Sequence, residues 1–376
     1  MSNKTKLLLF GLFIVQISII IWAKYDYQTQ KSDFEIKLET YLENPRSVKI
    51  LDFQSFELTD LPDEMLQFQN VEVINLSYND FEKVPSILYR LPNLKKLNMS
   101  HNQLKIIFLQ ISNSLTHLDF SHNLLTQING QSYLKALQSI DLSYNQLRAF
   151  PSLSGTMDTI DLSNNLLYSF RDIAMKLPEI VQHLDLSNND LNDFKNAELM
   201  MNICYSIDLS NNTVLNNRQL PPALFSENFI LKKLFLNNCR FDEIEELWAS
   251  QLEVFDLGNN NLTITDELVH QLKLKELNLE KQTLENFFLF NLSIQELNIV
   301  DATIIGDLKL LLPNLEIIHI SDSFSLLSDL PDLPKLQTIY FYTSESDIEV
   351  LDNELIDIKL KYPNAKIGYR IINENY

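Results

Sequence analysis

The chain has 376 residues, enough for two or three ordinary globular domains or for one elongated body. Thirty lysines and arginines stand against 50 aspartates and glutamates, a formal charge of −20 that argues against nucleic acid or an anionic lipid surface as the main partner, since both demand clustered positive charge. Two cysteines, Cys204 and Cys239, rule out a disulfide framework, and six glycines speak against a phosphate-cradling loop.

Lys4 and Lys6 precede an uncharged run over residues 7–23, LLLFGLFIVQISIIIWA. Its length exceeds the roughly 7–15 residues of a signal-peptide core and sits at the short end of the roughly 17–25 that span a bilayer. Ile21 and Trp22 make a poor small-x-small site before Ala23, so residues 1–23 are read as an uncleaved signal anchor in preference to a cleaved signal peptide. Lysines on its amino side place the N-terminus in the cytoplasm and the remainder outside it. Cleavage near Ala23 would make the protein secreted instead.

Residues 24–47 are expected to hold a tether and a capping helix. Ser32 and Glu35 spell a capping box, in which each side chain satisfies a backbone N–H of the other's turn. Phe34, Leu38, Tyr41 and Leu42 follow at helical spacing, and Asn44 and Pro45 end the helix.

From Val48 a single phrase repeats, with first positions at Val48, Val71, Leu94, Leu115, Leu137, Met157, Val181, Cys204, Leu231, Leu252, Leu274, Ile294, Leu315 and Leu336, at spacings of 20 to 27 residues. Apolar residues at the first, fourth, sixth and eleventh places bracket a ninth-place Asn. Within each unit, alternation such as Ile-Asp-Leu-Ser gives a short strand with one buried and one exposed face. Pro62, Pro85, Pro92, Pro151, Pro178, Pro221, Pro222, Pro313, Pro331 and Pro334 all fall between these strands, where a missing N–H is tolerable.

Such a period is the mark of a stacked repeat. The phrases LKKLNMSHNQL at Leu94, LTHLDFSHNLL at Leu115, LQSIDLSYNQL at Leu137 and LEVFDLGNNNL at Leu252 resemble the leucine-rich repeat motif L-x-x-L-x-L-x-x-N-x-L. The resemblance implies an α/β fold: a curved, horseshoe-like solenoid with a parallel β-sheet on its concave face. About fourteen repeats would occupy residues 48–346, capped at both ends by helical segments, the second cap being residues 347–376. There Ile348, Leu351, Leu355 and Ile358 form a helical stripe, and residues 365–369 can add a last strand. YLENPRSVKILDF and LTDLPDEMLQF are similar to openings of bacterial leucine-rich proteins, which implies an exported or membrane-tethered surface protein.

Asn79, Asn102, Asn123, Asn145, Asn165, Asn189, Asn212 and Asn260 hold the ninth place. Each is expected to be buried in the turn after its strand, bonded to backbone groups of two layers. Cys239 takes that place in one repeat and Cys204 an inward first place, so both read as core thiols. Gln282, Ala302, Ser323 and Ser344 then replace Asn, which predicts less regular packing, with altered curvature or greater mobility. The longest spacing, containing NNRQLPPALFSENF, is read as a tolerated loop insertion or, less simply, a functional protrusion.

Outward residues occupy the third, fifth, seventh and eighth places. The fifth reads Asp119, Asp141, Asp161, Asp185 and Asp208 in consecutive repeats, a row of carboxylates about 4.8 Å apart. It is open to two readings: bonds to local backbone and seryl groups, or a cradle for a partner's basic groups or Ca²⁺. Like-charge repulsion should raise some of their pKa values. His101, His117, His122, His183 and His319 also map outward, leaving His270 in a connection. At the eighth place Tyr78, His101, His122 and Tyr144 form a continuous stripe suited to protein contact. A divalent metal among His101, His117, His122 and Asp119 is the lesser reading beside that contact and beside plain surface. Phe235, Ile317, Tyr340 and Tyr342 make a second patch that either extends the contact surface or packs under the terminal cap.

No nucleophile elbow, phosphate loop, zinc spacing or Cys-His pair appears, so no catalytic residue, metal or cofactor is expected. The expectation is a non-enzymatic scaffold that engages a protein ligand, possibly basic, through its concave face outside the cytoplasm. The alternative is a structural or ligand-sequestering envelope protein that binds Ca²⁺ or a polycation along the acidic row.

Overall fold

The computed structural model describes residues 31–108, 114–129, 136–174, 176–192, 198–213, 219–220, 230–244, 251–264, 273–321, 333–343, 355–356 and 358–371. The segment 1–23 expected to be an anchor, His270, Ile348, Leu351, Ser323, Ser344 and most of the long insertion lie outside them. So do Pro221, Pro222 and Pro331.

The chain enters through a helix, Asp33–Leu42, and its first turn follows from the sequence. Ser32 is the N-cap: its Oγ accepts from the Glu35 N–H at 3.2 Å, while the Ser32 N–H donates to Glu35 Oε2 at 2.7 Å. Leu38 is buried, and Phe34 and Tyr41 set their rings edge-on to Phe53 at centroid distances of 5.0 and 5.6 Å. The helix thereby covers the apolar side of the first layer, which no preceding strand among the described residues protects.

Fifteen parallel strands then form one sheet in chain order, from Ile50–Asp52 to Lys366–Ile371. Equal places in the repeat pair with one another: Leu51 lies beside Ile74, Ile74 beside Leu97, and Ile140 beside Ile160. A slip by one residue would turn every buried side chain outward, so the apolar alternation fixes this register. Fourth- and sixth-place residues such as Ile74, Leu76, Ile140 and Leu142 are fully buried, each worth about 1.5–3 kcal/mol. They belong to one continuous apolar cluster running from Leu38 to Tyr362.

The connections are economical. Pro62 and Pro85 each start a 3₁₀ turn, Asp63–Gln67 and Ser86–Arg90, where the missing N–H leaves no bond unmade. Among the described residues the other connections carry little helix, and several pair into short parallel sheets separate from the main one, as where Thr263–Ile264, Thr283–Glu285 and Thr303–Ile305 align. These secondary strands were not legible from the repeat phrase. At the far end Leu355 and Ile358 are buried in short helical turns, and Lys366–Ile371 adds the last strand to Thr338–Thr343.

The ninth-place amides hold the turns together. Asn145 Nδ2 donates to the carbonyls of Leu142, Ser143 and, in the preceding layer, Phe120, all at 3.0–3.1 Å, and its Oδ1 accepts from the Leu125 N–H at 2.9 Å. The same set recurs at Asn102, Asn123, Asn165 and Asn189. Cys239 keeps part of it, with Sγ 3.2 Å from the Leu209 carbonyl.

Loss of Asn beyond Asn260 leaves the strand register of the described repeats intact. Gln282 is buried and takes over the amide's work: Oε1 accepts from Leu262 N–H at 3.0 Å, and Nε2 donates to the carbonyls of Leu257 and Glu280. Register continues unbroken through Glu296–Asn298, Ile317–Ser321 and Thr338–Thr343. One extra methylene is accommodated because the partners are carbonyls at fixed positions, not a shaped cavity.

Candidate functional site

The eighth residue of the repeat does not continue the strand. It occupies left-handed backbone at Tyr78, His101, His122, Tyr144, Asn164, Asn188, Asn211, Asn238 and Asn259, with φ between 52° and 62°. The chain turns off the sheet there, and Asn is the side chain that pays least for it. That Asn fills the place in five later repeats was the sequence signal for this turn, and it corrects the reading of the eighth place as an ordinary strand position. The turn is secured by the layer ahead: the N–H groups of Tyr78, His101, His122 and Tyr144 donate to the carbonyls of Ser100, Ser121, Ser143 and Ser163 at 3.0–3.1 Å.

In four consecutive repeats this turn carries a ring. Tyr78, His101, His122 and Tyr144 stack face to face with centroid separations of 4.1, 4.1 and 4.2 Å and interplanar angles of 9–10°. Adjacent strands set the repeat at about 4.8 Å, so the rings lean together in a column across four strands. Its ends are open, Tyr78 and Tyr144 being 52% and 51% exposed. Burial holds the His101 imidazole below its ordinary 6.5, the adjacent His122 pushes the same way, and Asp119 opposes.

The aspartate row runs beside the column and is structural in its first duties. Asp119, Asp141, Asp161, Asp185 and Asp208 each turn Oδ1 to the backbone N–H two residues on, at Ser121, Ser143, Ser163, Ser187 and Ser210, at 2.8–3.1 Å. Ser121 and Ser143 add their hydroxyls at 2.7 Å. Asp141, Asp161, Asp185 and Asp208 are raised above the ordinary carboxylate value first by burial and only then by neighbouring carboxylates. This corrects the cause expected from the sequence. Asp256 is a further member in the same place, bonded to the Gly258 N–H and likewise raised by burial, which the phrase LEVFDLGNNNL already contained. A cation laid along the row would meet carboxylates whose Oδ1 atoms already accept from these donors.

His117 and His183 stand at third places, away from the column. His117 lies between Lys96 and Ser139 in register, its Nδ1 2.8 Å from Thr116 Oγ1, and burial and Lys96 lower its pKa. His183 pairs with Thr159 and Ser206. Among the described residues no group of three or more histidines, cysteines, aspartates or glutamates is placed to hold a metal ion. Cys204 and Cys239 are buried, and burial pushes both thiols up to about 12, far from the thiolate a nucleophile needs.

The second patch forms a distinct centre at the carboxy-terminal end. His319 is outward but buried under Tyr340, with ring centroids 4.9 Å apart. Arg370 lies over Tyr340 at 4.6 Å and donates from Nη1 to Tyr342 Oη at 3.0 Å. Gly368 makes room for this, since a Cβ there would stand 2.9 Å from the Tyr340 ring. A hollow of about 260 Å³ opens next to the group. Ile317 is only partly exposed and does not line it, so the patch splits between packing and surface.

The leucine rich repeat family model matches residues 46–104. Mouse podocan is 28% identical over 243 residues, covering 58% of this chain and 34% of podocan. Bovine fibromodulin is 30% identical over 215 residues, covering 52% and 54%. The chain therefore spans about half or less of these curated relatives. Among solved structures, a leucine-rich repeat protein of Leptospira interrogans superposes with a TM-score of 0.63 at 20% identity, over 88% of this chain and 98% of that one, a likeness of fold. With the stacked parallel strands and the amide-bonded turns, these matches show a leucine-rich repeat solenoid fold, with the family motif itself matched over residues 46–104.

Proposed function

We propose that the protein is a non-enzymatic recognition scaffold that engages a partner protein through its concave face, with the column Tyr78, His101, His122 and Tyr144 as the principal contact. One observation carries this reading. Four large rings occupy a left-handed turn where five later repeats use Asn, and that choice costs backbone energy without returning core burial. Stacking fixes the rings in place, so little side-chain entropy remains to be lost on contact. The net charge of −20 favours a basic partner. The basic flank and apolar run at residues 1–23 support a chain tethered by its N-terminus with the solenoid outside the cytoplasm.

The test is chemical crosslinking and capture from the native membrane fraction, using the intact chain and the variant His101→Asn, His122→Asn, Tyr144→Asn. The intact chain should capture a partner that the variant loses, with folding unchanged; equal capture rejects the column. The mass of the mature N-terminus tests the tether, which requires residues 1–23 to be retained.

A further inference from the structure

We propose that the hollow at the carboxy-terminal end of the concave face binds an alkyl cation, a guanidinium or ammonium on a short apolar stem. The proposal rests on the reading of this face as the recognition surface and names a second anchor on it, several repeats away from the ring column.

Size comes first. At about 260 Å³ the hollow falls below the roughly 300–1,000 Å³ of pockets that enclose whole small molecules, and suits one extended side chain or a ligand of that bulk. Phe235 and Tyr342 supply aromatic surface to its wall, and Leu277 lies among the lining residues. An apolar stem fits such a wall, and a cation gains from the ring faces.

Charge then decides the sign. Asp256, Glu276 and Glu296 line the hollow. Among the described residues no lysine or arginine pairs with any of the three, whereas Glu72 holds Lys49 and Lys95 at 2.8 and 2.7 Å and Glu253 holds Lys275. The one guanidinium lining the hollow, that of Arg370, is already engaged by the Tyr340 and Tyr342 rings and the Tyr342 oxygen. A carboxylate or phosphate ligand would meet three carboxylates against one occupied arginine.

The wall is also ordered by a directional chain of hydrogen bonds. Arg370 Nη1–H donates to Tyr342 Oη at 3.0 Å, and Tyr342 lies 3.3 Å from His319 Nδ1. His319 Nε2 lies 2.9 Å from Glu296 Oε1. Every donor in the series finds an acceptor when His319 is neutral and carries its proton on Nε2; burial, helped by Arg370, favours the neutral ring against the hydrogen bond and charge of Glu296. The series fixes the Glu296 carboxylate at the rim through Oε1 and directs the tyrosyl ring without neutralising the site's negative charge.

Ligand-observed NMR titration of the full chain tests the assignment, with agmatine as a free cation, N-acetyl-Gly-Arg-Gly-amide as a chain-borne one, and N-acetyl-Gly-norleucine-Gly-amide as the neutral control. Binding of either cation at least about tenfold tighter than the control, reduced about tenfold or more by Glu276→Gln with Glu296→Gln, supports the site. Which cation binds better tells a free ligand from a side chain of a partner. Equal binding of the control, no binding of either cation, or binding indifferent to the double variant overturns it. Gln keeps the acceptor for His319, so an unchanged melting temperature verifies that the variant is folded. Cation binding that survives His101→Asn, His122→Asn, Tyr144→Asn separates this site from the column: either can fail while the other stands.

Discussion

At the scale of single residues, the buried amides and the titrating groups make opposite demands. Asn145 closes four hydrogen bonds inside two layers, and Ala there would strand the buried Leu125 N–H and leave the carbonyls of Phe120, Leu142 and Ser143 one donor fewer each. Asn145→Ala should cost on the order of 3 kcal/mol in urea unfolding, and a loss below about 1 kcal/mol would contradict the assigned role. His101, His117 and His319 have folded pKa values below the ordinary 6.5, so the unfolded chain takes up protons before the folded one. Their contribution to stability is complete above 6.5 and is lost as pH falls toward the depressed folded values. The melting temperature should therefore decline from pH 7 to 5, less steeply in His101→Asn with His117→Asn. The aspartate row has the reverse sign, because a raised carboxylate favours the folded state as it protonates. Asp141→Asn should stabilise the protein at pH 7, with the gain vanishing as pH falls to the ordinary carboxylate value of 3.8. A gain that persisted there would assign the effect to something other than charge.

At the scale of elements, the strand, the turn and the cap each had a different legibility. Alternation such as Ile-Asp-Leu-Ser determined which strand residues are buried, because a two-residue period has only two faces. The capping box and the apolar spacing of Phe34, Leu38 and Tyr41 were sufficient for the first helix, whose contacts are local. The turn was read less well: the eighth place has a backbone sign, φ above 50°, that hydrophobic pattern does not encode, although the Asn at 164, 188, 211, 238 and 259 recorded it. Gln282 was read as a break in the amide ladder, but carbonyl acceptors tolerate a longer amide. The group of Arg370, Tyr342, His319 and Glu296 was beyond reach, since it joins the last strand to residues about 30 to 75 positions earlier through side-chain geometry alone. Gly368 is its keystone in the last strand. Gly368→Ala should destabilise the protein by about 1–3 kcal/mol through the Tyr340 ring, and much less in a Tyr340→Ala background. Equal losses in both backgrounds would mean that the glycine serves some other contact.

For the whole molecule, a solenoid separates what builds from what binds. Each layer contributes a similar buried set, so outward places are free to vary, and at the eighth place, where Ser55, Lys281 and Asp301 also replace Asn, the four consecutive rings are the aromatic departures. Replacing the rings with the residue the turn prefers should relieve strain and remove the contact at once. The most direct measurement is therefore paired: melting temperature, and affinity for the captured partner, of the intact chain and of His101→Asn, His122→Asn, Tyr144→Asn. Recognition through the column predicts an equal or higher melting temperature with affinity weakened about 30-fold or more, the loss expected of clustered contact residues. Affinity within about twofold of the intact chain, in a variant of undiminished stability, would contradict it.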